Sequence, residues 1–349
     1  MCGNHEHHEH AVIELPDSIM TRRNALRLGG MGLGAVLLAA CGANRAANVV
    51  STTSSSLTPT TLAGASSSSS ELAAITVPDA FAAFADTVKV VRDGKWWMVE
   101  SDGIPAHNMM VGITSWQQQV PTSQNYSGSN AWSIPATPVI SQSPVSAKTS
   151  LYRGAIALAV NGVPIFNALN NRGDDAFLVG ELDKWGGHAG RADDYHYHVA
   201  PLHLQKQAGA NMPIAYALDG FPIYGETEPD GSAVDTLDEF NGHYAADGSY
   251  HYHGTRTYPY INGGLRGVIT VSGDQIDPQP TTRPFRDALT PLNGAVITSF
   301  ETPATGSYRL GYTVNNATAE VAYVVTDSSV AFTFTDASGA TRRETYTRN

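Results

Sequence analysis

The sequence predicts a mainly β, loop-rich fold with few short helices, ending in a small antiparallel sheet. Three observations predict it. The 33 glycines and 19 prolines punctuate the chain at short intervals, β-branched and aromatic runs fill the gaps, and one histidine-bearing block recurs 55 residues later. Charged residues make up 15% of the chain, against about 25% in ordinary soluble domains. Lys+Arg 21 against Asp+Glu 32 leaves a net charge of −11, the wrong sign for a phosphate backbone, so nucleic acid is not an expected partner. Both cysteines, Cys2 and Cys41, precede residue 42, which excludes a disulfide framework or thiolate cluster further on.

Residues 1–40 read as an export signal. Arg22-Arg23 form a twin-arginine pattern, and the Gly/Ala/Leu run from Leu28 to Ala40 is too short to span a bilayer, which needs about 20 apolar residues. The run ends Leu38-Ala39-Ala40-Cys41, which resembles a bacterial lipobox, so Cys41 is the expected lipidated (palmitate-type) N-terminus of a mature chain. The expected location is the cell envelope, on the outer side of the cytoplasmic membrane or in the periplasm, with the membrane as partner through the anchor. Residues 41–75 read as a tether: 14 of the 20 positions in 51–70 are Ser or Thr, with no charge, and cannot bury enough area to offset the entropy of ordering.

The body, 76–285, begins with Val88 to Val91 and Trp96 to Val99 flanking an Asp93-Gly94 turn, a hairpin signal. Ala155 to Val160 is an apolar strand ended by Asn161-Gly162. Phe177 to Lys184 carries apolar residues near helical spacing and is expected as a short helix. The C-terminal module, 286–349, shows alternation in Tyr308 to Val314, Glu320 to Thr326 and Val330 to Thr335. Asp336-Ala337-Ser338-Gly339 then turns into Thr341 to Thr347.

The repeat carries the chemistry. Leu182 to His198 and Leu237 to His253 share eight of seventeen positions, and the histidines of the two blocks fall in register. On a strand, residues i and i+2 share a face, so His196 and His198 project together with Tyr195 and Tyr197 opposite, and His251 and His253 do likewise. Adjacent imidazoles can reach one cation at about 2.0–2.1 Å. His188 and His243, each preceded by Gly, are the expected third ligands. Asp183 and Asp238 are expected to orient a ring by accepting its remaining N–H. With imidazole ligands and no thiolate, Zn or Cu is the expected metal.

Weaker candidates accompany the repeat. Asp219 in Leu218-Asp219-Gly220-Phe221-Pro222 reads mainly as a turn residue; His107 either joins the site or caps a loop; His203 reads as structural. Glu226, Glu228 and Asp230 offer a loose calcium site. No phosphate-binding Gly-Lys-Ser/Thr loop or nucleophile elbow occurs.

The doubled Tyr-His-Tyr-His, the Gly-His before each copy, and the stretch Ala217 to Gly225 resemble the YHYH domain family, as do Gly103 to His107 and Asn161 to Asn167. The resemblance covers about residues 95–270 and implies a domain type, with no established activity attached. Trp185 stands where many members carry a cysteine, so a thiol there is absent. The expected function is an extracytoplasmic, lipid-anchored metal-binding protein, with a metal-dependent hydrolase or redox role open to it. Its histidine pairs are expected around a common region, as one four-histidine site or a three-histidine site with an open position, while two independent three-histidine sites remain the alternative if the pairs lie apart. A surface adhesion module with structural histidines is the alternative function.

Overall fold

The 55-residue register acquires its structural meaning in an eight-stranded mixed sheet. Its strands are β1 (Ala155–Ala159), β2 (Pro164–Phe166), β3 (Gly187–Ala189), β4 (Tyr195–Tyr197), β5 (Ala215–Ala217), β6 (Pro222–Tyr224), β7 (Gly242–Tyr244) and β8 (Tyr250–His253). Their spatial order is β3-β4-β2-β1-β5-β6-β8-β7. The computed structural model describes residues 76–348, so the signal, Cys41 and the tether lie outside the described residues.

That order is symmetric about the β1–β5 pair. In each half a hairpin (β1–β2, β5–β6) is followed by a second hairpin (β3–β4, β7–β8) whose last strand pairs parallel to the first hairpin's second strand. The halves join antiparallel, Leu158 opposite Tyr216. β1 is buried along its whole length, as a central strand covered on both faces should be. The duplication therefore includes the two hairpins over 155–166 and 215–224, well beyond the histidine blocks.

The expected helix at 177–184 is absent. Asp175 accepts the N–H groups of Phe177 (3.0 Å) and Leu178 (3.2 Å), starting a single helical turn. Gly180, at φ +76°, ends it. The hairpin around Gly94 forms as expected, Lys89–Asp93 against Trp96–Glu100, and Trp132–Pro135 adds a third strand.

The C-terminal sheet has five antiparallel strands, Val296–Ala304 joining the four that the alternation marked. It shares the core of the body. Tyr308, Tyr323 and Phe332 stack in series, and the Tyr323 hydroxyl donates to the Pro121 carbonyl at 2.6 Å. Ile297 exchanges backbone hydrogen bonds with Gly112 and Ile113. Arg286 forms a two-pronged ion pair with Asp193, both distances 2.7 Å, and both side chains are buried.

A buried pair is costly to break from one side, by about 3–5 kcal/mol, because the other charge stays buried alone. Arg286→Ala should therefore lower unfolding stability by that order in denaturant titrations, and the double variant Arg286→Met with Asp193→Asn should recover much of it. Equal stability of Arg286→Ala and the parent chain would contradict a buried pair joining sheet to body.

Candidate metal centres

The register of the second hairpin in each half explains the Gly-His to Tyr-His-Tyr-His spacing. His188 lies directly across from His196, and His243 from His251. The upstream histidine thus comes from the neighbouring antiparallel strand, on the same face as the His-x-His pair. The glycine before it is required by close approach: a Cβ on Gly187 would meet the Tyr195 ring at 2.6 Å. Gly242 stands in the same relation to Tyr250.

Three Nε2 atoms converge in the first block. His198 Nε2 is 3.1 Å from both His188 Nε2 and His196 Nε2. In the second block His251 Nε2 is 2.9 Å from His243 Nε2 and 3.0 Å from His253 Nε2. The ligating atoms within each group all lie within 4.8 Å of one another. The two groups are separate, on strands at opposite edges of the sheet. Between β4 and β8 stand four strands, a separation of roughly 24 Å at the usual strand spacing. A single site shared by both pairs is therefore corrected to two sites.

The rings are turned by backbone carbonyls. The Asn167 carbonyl lies 2.5 Å from His198 Nδ1, the Asp194 carbonyl 3.0 Å from His196 Nδ1, and the Gly225 carbonyl 2.8 Å from His253 Nδ1. A carbonyl only accepts, so these Nδ1 atoms carry the proton and the Nε2 atoms present lone pairs. This also corrects the expected role of the aspartates. Asp183 accepts the Tyr195 hydroxyl (2.8 Å) and the N–H groups of Met110, Trp185 and Gly187. Asp238 accepts the Tyr250 hydroxyl (2.8 Å) and the N–H groups of Phe240 and Gly242. They fix the loop and the tyrosine behind the site, not an imidazole.

Burial disfavours the charged form of His188, His198, His251 and His253. Desolvation, reinforced by the neighbouring His196, brings His198 down to about 3, and desolvation with the charge of His196 holds His188 well below its ordinary value. In the second group His251 falls to about 4 through burial and the adjacent His253. With the Asp194 and Asn167 carbonyls at their Nδ1 atoms, His196 and His198 turn Nε2 lone pairs toward one another at 3.1 Å, and such lone pairs repel. A cation at the convergence removes the repulsion. Nitrogens at about 2.1 Å from one ion lie about 3.0 Å apart at right angles and about 3.4 Å apart at the tetrahedral angle, close to what is found.

The second group holds a fourth donor that the sequence reading placed elsewhere. Glu228 has Oε1 2.9 Å from His243 Nε2 and 3.4 Å from His253 Nε2, and Oε2 3.1 Å from His251 Nε2. Oε1 is buried and makes no well-formed hydrogen bond, as a metal-ligand oxygen would. The calcium reading of this loop is corrected at the same time: Glu226 pairs with Arg256 and Asp230 caps Ser232.

The equivalent of Glu228 in the first half is Asn170, 58 residues earlier, just as Pro164 matches Pro222 and Ile165 matches Ile223. The Asn170 amide donates to Glu181 at 3.1 Å instead of facing the imidazoles. Where the second group is closed by a carboxylate, the first opens onto a cavity of about 660 Å³ lined by His188, His196 and His198.

Asp219 is a turn residue, as expected, and is more besides. It caps Phe221 and, fully buried, accepts the Tyr252 hydroxyl at 2.5 Å and the Gly267 N–H at 2.8 Å. His107 joins neither group; its Nε2 lies 2.8 Å from the Tyr197 hydroxyl and its ring stacks on Trp185, 4.8 Å between centroids. His203 packs edge-on against His107 on that same far side.

Residues 131–235 match the family model described as YHYH protein. Over that segment the chain is similar to the YHYH family. The matched segment includes the first histidine group and Glu228, and ends before β7 and β8, which complete the sheet. No curated protein and no solved structure matches the chain.

In the metal-free protein the buried imidazoles stay neutral down to about 3 for His198 and about 4 for His251, whereas the unfolded chain protonates near 6.5. Below pH 6.5 the unfolded state then binds more protons at these rings, so their contribution to stability is full above that pH and declines as pH falls toward 4. Asp183 and Asp219, whose buried carboxyls are raised to about 6, partly offset this decline. Thermal unfolding after chelation, scanned from pH 7.5 to 4, should show a steadily falling Tm; a flat or rising Tm would contradict neutral buried rings.

Proposed function

We propose that the protein is an extracytoplasmic, lipid-anchored metalloprotein with two unlike metal sites. The observation that carries this reading is the convergence of Nε2 lone pairs whose rings are locked by backbone carbonyls. Hydrogen bonding alone gives no reason for lone pairs to meet at 3.1 Å inside the fold. The second site, three imidazoles and Glu228, has the complete donor set of a structural site. The first, three imidazoles facing a cavity, has the donor set that leaves a position for water or substrate.

Imidazole-rich sites suit Zn or Cu. A Zn²⁺ ion there would supply a bound water with a pKa of about 7, the basis of a metal-dependent hydrolase, whereas Cu would supply redox chemistry. The chain's residues hold two of the three rings with Nε2 inward, His198 by the Asn167 carbonyl and His196 by the Asp194 carbonyl, and Phe166 stacks on the His196 ring at 3.9 Å. The cavity favours the hydrolytic reading, since a pure electron-transfer site has no use for a chamber of that size.

Elemental analysis of untagged protein should give two metal equivalents per chain. His196→Ala with His198→Ala should leave one, as should His243→Ala with His251→Ala, and His203→Ala should keep both. Metal bound to the native state alone stabilises it, so each loss should also lower Tm. Absence of metal after reconstitution with Zn or Cu would overturn the reading.

The location rests on Arg22-Arg23 and the Leu38-Ala39-Ala40-Cys41 ending. Cys41→Ala should release soluble protein or leave an uncleaved precursor in cell fractionation. A membrane-bound mature form of normal size in that variant would contradict the anchor.

A further inference from the structure

The cavity beside the first site has a charge unlike that of the chain. Its walls include Arg153, Arg172 and Arg191 against Glu181 and Asp194, within a protein of net charge −11. Both carboxylates are already engaged. Glu181 accepts from Asn170 and from Arg172, and Asp194 caps the Ala192 N–H at 3.1 Å. Arg172 lines the cavity with His188, pairs with Glu181 and, at 3.4 Å, with Asp174, and keeps about half of its side chain exposed. A neighbouring cavity of about 460 Å³ shares Tyr126 and Thr281 with the first and adds Arg283 and Arg348, with no carboxylate in its walls. A concave surface focuses such a field on whatever enters.

The two halves of the sheet sharpen the point. At the position of Arg172 the second half has Asp230, and at that of Asn170 it has Glu228. The half that closes its metal site with a carboxylate has acid where the open half has a guanidinium. The open site therefore lacks its own anionic ligand and carries a cation beside the vacant direction, as a site for an incoming anion should.

We propose that the first site binds a phosphoryl group, the dianionic head of a phosphate ester, with oxygens on the metal held by His188, His196 and His198 and on the Arg172 guanidinium. The cavity takes the organic remainder. This rests on the metal-site reading above. A dianion is favoured over a single carboxylate because the divalent ion alone exceeds one negative charge, and Arg153 adds an exposed guanidinium with no ion pair among the described residues. Guanidinium presents a planar fork of donors that matches phosphoryl oxygens. The volume lies in the range of small-molecule sites, about 300–1,000 Å³.

The test is calorimetric titration of inorganic phosphate and of acetate into the metal-loaded full chain, with metal content measured on the same samples. Phosphate should bind once per chain, at least roughly tenfold more tightly than acetate, as expected of charge-assisted bonds to a dianion. Binding should vanish in the His196→Ala/His198→Ala variant and persist in the His243→Ala/His251→Ala variant. Arg172→Gln should weaken it roughly tenfold or more, with Arg172→Lys intermediate. Because Arg172→Gln also strips Glu181 of its partner, Arg153→Gln, at an exposed position without an ion pair among the described residues, provides a second variant; it should weaken binding by a smaller factor. Two metals per chain with no phosphate binding, with acetate binding equally well, or with affinity unchanged in both arginine variants would overturn the proposal alone. No metal at all would overturn the site reading beneath it.

Discussion

Everything distinctive about this fold depends on holding three imidazole nitrogens together with their lone pairs pointing inward. Such a cluster is electrostatically unfavourable by itself, and burial opposes protonation of His188 and His198 in one group and of His251 and His253 in the other. The backbone therefore has to impose it. The Asn167 and Gly225 carbonyls, each at the end of the strand that pairs parallel with the Tyr-His-Tyr-His strand, meet the Nδ1 atoms of His198 and His253. The parallel pairing that looks like a detail of topology is what fixes the tautomer.

The tyrosines complete the device from the other face. Tyr195 and Tyr250 donate to Asp183 and Asp238, whose remaining oxygens cap the loop leading into the Gly-His strand. Tyr197 and Tyr252 reach Asn161 and Asp219 in the turns of the first hairpins. Each Tyr-His-Tyr-His strand is thus bolted by hydroxyls to the loop before it and to the hairpin beside it, so its imidazoles have little freedom to part. The departure from symmetry then sets the chemistry. Glu228 seals one site, and Asn170, turned toward Glu181, leaves the other facing its cavity.

The histidines were legible in the sequence because a period of two on a strand places i and i+2 together whatever the fold. The β class and most C-terminal strands were legible for the same reason, alternation being local. The separation into two sites was not, since it depends on the strand order, which no local pattern encodes. Nor were the roles of Asp183 and Asp238, because a carboxylate near an imidazole in sequence has a tyrosine hydroxyl nearer in space. Glu228 could have been found. Asn161-Gly162-Val163-Pro164-Ile165-Phe166 and Asp219-Gly220-Phe221-Pro222-Ile223-Tyr224 are copies 58 residues apart, and continuing that register puts Glu228 opposite Asn170. The change from 58 to 55, three residues lost before the second histidine block, hides the longer repeat.

Anomalous X-ray diffraction from crystals of the metal-loaded protein tests the central claim most directly. Two peaks should appear, one among the Nε2 atoms of His188, His196 and His198, the other among those of His243, His251 and His253 with a Glu228 oxygen beside it. Absence of density at both convergences, with the imidazoles still in place and metal present in the crystal, would contradict it.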